Sequence, residues 1–383
     1  MCGIFAAIIK TQLPTPDFDS TSFNILHSRG PDTFHSTRTP FNKTHDLILA
    51  GFTLNLRSQN STKMPTKNHS ILFNGELFSN EYFHETYSDT ICLDNQDFID
   101  LKALKGPWSI IYYDSGVLTY GRDCFGRRSL LFCENENGLF IASCALNLKD
   151  FGVSIYDWEE SIVAGQIYEI NAKEVILNND DVDVERDTKG DIKAVFTPTK
   201  IMTLQPKYNI VQDPQNITDT IPSLETPGEY YFNHAEIASK LLKSAVATRV
   251  RINHGKYNKI SVFFSGGIDS VIIAYLLGKI STSETSKSGR QLFDEIELVN
   301  VSFYTKASGY DTPDRKHAEI AFEEITGLLP GVNFVFNKPN IDAEEVEENR
   351  ELLAQALYPR ITILDESLGL ALYRVVLQKM SDG

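Results

Sequence analysis

Three stretches of this chain carry residues that can do chemistry at the spacing at which they occur. The first is Met1-Cys2-Gly3-Ile4. Once Met1 is removed, Cys2 carries a nucleophilic sulfur and a free α-amine on one residue. An unperturbed α-amine titrates near pH ~8, so it accepts the thiol proton at neutral pH. The second is Asn74-Gly75, after the apolar run Ile71-Leu72-Phe73. Alone it reads as a hairpin turn, but a side-chain amide beside a backbone N–H also holds an oxyanion. The third is Ser265-Gly266-Gly267-Ile268-Asp269-Ser270, after Ser261-Val262-Phe263-Phe264. A strand, a Ser-Gly-Gly turn and a helix start form a phosphate-binding geometry. The glycines let N–H groups approach the ligand, and the helix N-terminus adds positive partial charge.

In that loop Ser265 and Ser270 offer hydroxyl donors and Asp269 a carboxylate for magnesium. It is not a Walker A loop, because the first lysine downstream is Lys279. The longer pattern is that of enzymes that cleave ATP between the α and β phosphates and grip pyrophosphate.

The elements around these stretches differ between the two halves. In the first, short apolar or aromatic runs predict strands over 2–10, 47–56, 71–73, 108–120, 130–140 and 165–170. The runs 108–120 and 130–140 read as two antiparallel strands joined by the Gly-punctuated segment 121–128. Arg29-Gly30-Pro31-Asp32 is a turn by composition. Residues 178–193 read as an exposed acidic loop, and 205–229, with four prolines, as the interdomain linker. Beyond 230, strands alternate with helices. Helical spacing covers 235–249, and a strand at 259–264 leads through the glycine loop to a buried helix at 271–277. Strands at 296–303 and 332–336 flank a helix that starts at Asp311-Thr312-Pro313, with Gly327 as its C-cap. Helices near 342–357 and 365–380 follow, and 281–291 is a low-complexity loop. The alternation implies a parallel α/β sheet.

The chain has 383 residues, 42% of them hydrophobic, enough for two or three domains with sizeable cores. A net charge of −15 argues against a nucleic-acid or anionic-membrane surface. It leaves room for a local ATP pocket. No apolar window is long enough to span a bilayer, and no signal peptide is recognisable. The five cysteines (Cys2, Cys92, Cys124, Cys133, Cys144) show no metal-ligand spacing. The economical expectation is a reduced, cytoplasmic protein.

The chain resembles the glutamine-dependent asparagine synthetase family, and within it the asparagine synthetase domain-containing proteins of eukaryotes. The resemblance rests on Met1-Cys2-Gly3-Ile4, Arg29-Gly30-Pro31-Asp32, Arg57, Asn74-Gly75-Glu76, Gly106-Pro107-Trp108-Ser109, Gly121-Arg122-Asp123 through Leu130, and Ser265 to Ser270. It implies an α+β N-terminal-nucleophile glutaminase over 1–204, an αββα sandwich. After the linker, 230–383 would be an α/β adenine-nucleotide α-hydrolase-like domain with a parallel sheet.

The resemblance also implies an activity, a ligase of the glutamine-hydrolysing asparagine synthase type. Cys2 attacks the side-chain amide of glutamine, and Asn74 and Gly75 stabilise the oxyanion. Arg57 pairs with the α-carboxylate, and Glu76 and Asp89 hold the α-ammonium. Ammonia then passes through an internal tunnel to the second half. There ATP and Mg2+, held by Ser265, Gly266, Gly267, Ile268, Asp269, Ser270 and Val301, activate a carboxylate, that of aspartate by analogy with the family.

This chain departs from the family pattern at three places. Ser28 replaces the usual His, and Ile91 stands where the family usually has Glu after Asp89. A further Gly-rich acidic loop is implied after a fourth strand. Leu364-Asp365-Glu366-Ser367 match the residues before that strand, and the chain reaches Ser381-Asp382-Gly383 where it would begin. The nucleotide domain is therefore expected to be partial. The alternative is a glutaminase-like protein whose second half is a non-catalytic scaffold or serves another acceptor.

Overall fold

A strand that is apolar at successive positions has to be covered on both faces, and Gly3–Lys10 (β1), apolar and buried from Gly3 to Ile9, is such a strand. In the computed structural model, Ile4, Ala6 and Ile8 enter one core, and Phe5, Ala7 and Ile9 enter another. That division follows from the two-residue period of a strand. The structure describes residues 2–56, 62–78, 88–96, 99–160, 162–173, 198–204, 229–251, 258–283, 292–360 and 362–381. They divide into two units, Met1–Lys207 with Glu351–Asp365, and Tyr208–Arg350 with Glu366–Gly383. Most of the expected linker, the acidic stretch 178–193 and most of 281–291 lie outside the described residues.

The first unit continues with α1 (Asn24–Arg29), β2 (Thr33–Pro40), β3 (His45–Thr53), β4 (Leu72–Gly75) and α2 (Asp89–Asp94). Then come β5 (Trp108–Asp114), β6 (Val117–Arg122), β7 (Leu131–Asn135), β8 (Gly138–Ala142), β9 (Gln166–Asn171) and β10 (Thr199–Thr203). They form two antiparallel sheets, ordered β2-β3-β1-β8-β7 and β10-β9-β6-β5-β4. The sheets share a core in which Ile4, Ala6 and Ile8 meet Leu72, Ile110, Leu118 and Ile167. The outer face of the first sheet is covered by Phe23, Leu26 of α1, Phe151 and Trp158.

The runs 108–120 and 130–140 are not single strands. Each is a hairpin, β5–β6 turning at Ser115-Gly116 and β7–β8 turning at Glu136-Asn137. The two hairpins lie in different sheets, so the segment between them crosses the sandwich. Buried Asp123 pins that crossing. Its carboxylate accepts from the N–H groups of Trp108 (3.1 Å), Phe125 (3.0 Å) and Arg127 (3.0 Å) and from Arg127 Nε (3.0 Å). The periodicity of each run hid its central turn, because two polar residues replace only one alternation.

The second unit holds α3 (Glu229–Arg251), β11 (Lys259–Phe263), α4 (Ile268–Ser283), β12 (Glu295–Val299), β13 (Ser302–Phe303) and α5 (Pro313–Leu328). β14 (Phe334–Asn337), β15 (Asn340–Ile341), α6 (Ala343–Leu357) and α7 (Ile363–Ser381) follow, α6 straddling the division between units. β11, β12 and β14 are parallel neighbours in that order, and β13 pairs with β15. Phe264, Ala274, Leu277, Leu298, Ala318 and Ile325 form the core between sheet and helices.

Three local expectations change. The strand expected over 296–303 breaks at Asn300-Val301 into β12 and β13. Gly327 lies inside the last turn of α5, and the N–H of Leu329 closes that helix on Ile325 O. Ile273 and Tyr275 leave α4 half-exposed on one side. Among the described residues, no helix is long and apolar enough to cross a membrane.

Candidate active site in the first unit and glycine loop in the second

Cys2 precedes β1, and its sulfur meets the chain just after β3. The Leu54 N–H donates to Cys2 Sγ at 3.4 Å, and the thiol donates to Leu54 O at 3.8 Å. Burial pushes the Cys2 thiol above its ordinary range; the Leu54 N–H and the Arg29 guanidinium act in the opposite sense, and Asp89 reinforces the rise. Burial therefore disfavours the thiolate, and a nucleophile here needs a base.

The end of β4 reaches the same place. Asn74 and Gly75 are paired with Ser109 and Trp108, so they continue the strand and do not form a hairpin turn. Gly75 is required by close approach, since a Cβ there would stand 2.3 Å from Pro107 O and 2.7 Å from Trp108 Cα. Asn74 is fully buried, and neither Nδ2 nor Oδ1 has a hydrogen-bond partner among the described residues. Such a side chain forfeits about 1–3 kcal/mol per unsatisfied group. Cys2, Leu54, Gly75, Glu76 and Asp89 line one cleft of about 510 Å³, part of it open to solvent.

The acidic residues of the cleft are held from behind. Glu76 Oε1 pairs with Arg128 Nη2 at 3.1 Å. Asp89 is buried in the first turn of α2, whose N-cap Ser88 accepts from the Ile91 N–H at 3.3 Å. Ile91 is thus the third helical residue. An acid there would add the reciprocal half of a capping box, so its replacement leaves Asp89 on the cleft wall. Ser28 is exposed and bonds back to Asn24 O. Arg57 lies outside the described residues, as does Met1.

Arg29-Gly30-Pro31-Asp32 does more than turn the chain. Arg29 Nε reaches the carbonyl of Cys2 at 3.4 Å, and Asp32 Oδ2 accepts from the Asn55 N–H at 2.6 Å. The motif therefore holds both strands that meet at the sulfur. Leu54 and Arg128 are site residues that composition did not single out. Arg128 was visible as part of Gly126-Arg127-Arg128, but its pairing with Glu76 spans 52 positions.

In the second unit Ser265 to Ser270 leaves the carboxyl end of β11. Val301 follows the carboxyl end of β12 on the same sheet edge, where open α/β sheets bind ligands. Gly266 has φ +77°, and a Cβ there would lie 2.6 Å from Ala318 N, so the loop rests on the backbone of α5. Ser265 Oγ accepts from the Gly267 N–H at 3.3 Å and lies 3.4 Å from Ser270 Oγ, which donates to Gly267 O at 2.9 Å. Ile268 and Asp269 open α4 and are exposed. Among the described residues, no three His, Cys, Asp or Glu side chains group as a metal site.

Fold and site define a two-part protein. A thiol-headed cleft lies in an antiparallel two-sheet unit, and a glycine loop lies at the edge of a parallel α/β unit. No protein-family profile matches the chain. Asparagine synthetase domain-containing protein 1 of Gallus gallus is 25% identical over 97% of this chain and 74% of its own length. An asparagine synthetase domain-containing protein of Drosophila melanogaster is 26% identical over 97% of this chain and 73% of its own length. One from Saccharomyces cerevisiae is 25% identical over 79% of this chain and 53% of its own length. Over most of its length the chain is therefore similar to asparagine synthetase domain-containing proteins of eukaryotes. Among solved structures, a glutamine phosphoribosylpyrophosphate amidotransferase from B. subtilis aligns with TM-score 0.36 and 13% identity, covering 88% of this chain and 65% of its own.

Proposed function

We propose that the chain is a glutamine-dependent amidotransferase of the asparagine synthetase type, with an N-terminal-nucleophile glutaminase as its first unit. The observation that carries the reading is the buried Asn74 amide, without hydrogen-bond partners among the described residues, next to Gly75, which lines one cleft with Cys2. After removal of Met1, the α-amine of Cys2 takes the thiol proton. The sulfur attacks the amide carbon of glutamine, while Asn74 Nδ2 and the Gly75 N–H receive the oxyanion. Collapse expels ammonia, which takes up a proton, and leaves a thioester on Cys2. Water then releases glutamate. Glu76 and Asp89 bind the α-ammonium, Arg128 orienting Glu76, and Arg57 takes the α-carboxylate.

The residues of the second unit fit a phosphate-bearing ligand. The Gly266 conformation leaves a cradle that a Cβ would fill, and Ser265 and Ser270 supply hydroxyls. Asp269 is one carboxylate for magnesium, which usually takes one or two together with phosphate oxygens. ATP, when bound with Mg2+, supplies the leaving group that activates a carboxylate, that of aspartate in this reading. Ser265, Gly266, Gly267, Ile268, Asp269, Ser270 and Val301 would hold the nucleotide. The five cysteines are free thiols, which suits a cytoplasmic enzyme.

The test supplies glutamine, aspartate, ATP and magnesium to the full chain and follows glutamate, asparagine and AMP. Glutamate release that vanishes in Cys2→Ala supports the glutaminase. Glutamate release without any AMP formation would leave a glutaminase alone and refute the synthetase half.

A further inference from the structure

Among the described residues, the side-chain hydrogen bonds of the Ser265–Ser270 loop stay within it, so its shape depends on what stands behind it. Behind it is Asn300, the residue that follows β12 and is 4% exposed. Asn300 Nδ2 donates to the carbonyl of Phe264, the residue before Ser265, at 2.9 Å. Its own amide is oriented by Arg315 in the first turn of α5. Arg315 Nε donates to Asn300 Oδ1 at 2.8 Å, and Nη2 donates to Asn300 O at 3.1 Å. The same Nη2 donates to Pro339 O, beyond β14, at 2.9 Å. One planar guanidinium therefore ties the carboxyl ends of β12 and β14, and through Asn300 that of β11. One turn further along α5, the Ala318 backbone supports Gly266.

The chemistry of this arrangement is informative. Arg315 is 7% exposed, yet its hydrogen-bond partners among the described residues are uncharged, Glu319 and Asp311 acting on it only through space. A buried charge paired only with neutral acceptors costs stability, and well-packed apolar residues serve a core better. A rigid fork, however, fixes an amide plane in a way that an apolar or flexible side chain cannot.

We infer that Arg315 and Asn300 are the positioning pair of the phosphate loop: the guanidinium orients the Asn300 amide, and the amide fixes the Phe264 carbonyl from which Ser265–Ser270 departs. The inference rests on the reading of that loop as a phosphate site.

Asn300→Asp tests it on the full chain. Aspartate keeps an acceptor for Arg315 and replaces the N–H that reaches Phe264 with a carboxylate oxygen that cannot donate. Three quantities are measured: hydrogen exchange at the amides of 265–270, calorimetric binding of inorganic pyrophosphate and of magnesium ATP, and the thermal midpoint. Asn300→Asp is expected to speed exchange in the loop and weaken pyrophosphate by roughly 10-fold, the scale of one hydrogen bond, with the midpoint nearly unchanged. Arg315→Lys, which keeps the charge and loses the fork, is expected to do the same. Unchanged loop exchange and unchanged affinity in Asn300→Asp overturn the inference. A lowered midpoint in Arg315→Lys without either change also overturns it, since the residue is then only structural. Faster loop exchange in Asn300→Asp, with a wild-type chain that binds neither ligand, supports the positioning and overturns the phosphate reading.

Discussion

At the first site Asn74 and Asp89 are buried, Cys2, Gly75 and Glu76 are half-buried, and Asn74 keeps both amide atoms unengaged among the described residues. At Ser265 the corresponding groups are exposed and bond to one another across the loop. The first site carries its desolvation cost in the ligand-free protein, so a bound carbonyl meets donors that need no reorganisation. The second is assembled from backbone and short hydroxyls whose present bonds a ligand would have to replace. The difference teaches that polar groups at two sites of one chain can be organised by opposite means: by burial without partners, or by support from behind.

That contrast can be broken at its strongest point first. Cys2→Ala should remove glutamate release by at least ~10³-fold while leaving pyrophosphate binding as it was. Loss of both would mean that the two sites are not independent. Asn74→Leu should separate function from stability at a single residue. Leucine fills a similar volume and deletes two unsatisfied polar atoms, so glutamate release should fall by about 10²-fold. Unfolding should become harder by roughly 1–2 kcal/mol, read as a higher urea midpoint. A stability loss in Asn74→Leu would mean that the Asn74 amide is satisfied after all.

The glycine loop offers a comparison within itself. Gly266→Ala places a Cβ at φ +77° and 2.6 Å from Ala318 N, and should destabilise the chain by about 2 kcal/mol. Gly267→Ala meets only the movable Ser265 Oγ at 3.3 Å and should change stability by less than about 0.5 kcal/mol. Denaturant melts of both variants decide whether support comes from α5, as the loop geometry requires.

The smallest effect belongs to the core behind the first site. Burial first, then Asp157, Glu159 and Glu134, push the Cys133 thiol up to about 12. A thiol in the unfolded chain ionises near pH ~8.5. Between those values the unfolded chain binds fewer protons than the folded one, so stability falls as pH rises. The contribution of Cys133 is complete below pH ~8.5 and is lost as pH climbs toward about 12. Cys133→Val should flatten that part of the curve, measured as urea midpoints at neutral and alkaline pH.

Much of the site was legible from local pattern. Cys2, Asn74-Gly75 and Ser265–Ser270 stand out only in combination, since Asn74-Gly75 alone reads as a hairpin turn, and local periodicity located β1, β3, β11 and α5. What pattern could not reveal were long-range pairings. Arg128 with Glu76, Asp32 with the Asn55 N–H, and Arg315 with Asn300 join residues far apart in sequence. The hairpins at 108–122 and 131–142 were missed for a related reason. Their turns occupy two residues, and nothing local says which sheet a strand will join.

The sequence by itself determined which side chains are available and which strands must be covered on both faces, because composition and period act over a few residues. Only the tertiary structure decided that Asn74 continues a strand, that its amide has no partner among the described residues, and that Leu54 meets the Cys2 sulfur. Those outcomes depend on how β1, β3 and β4 pack across a shared core, where each polar group finds or lacks a partner that no local window contains.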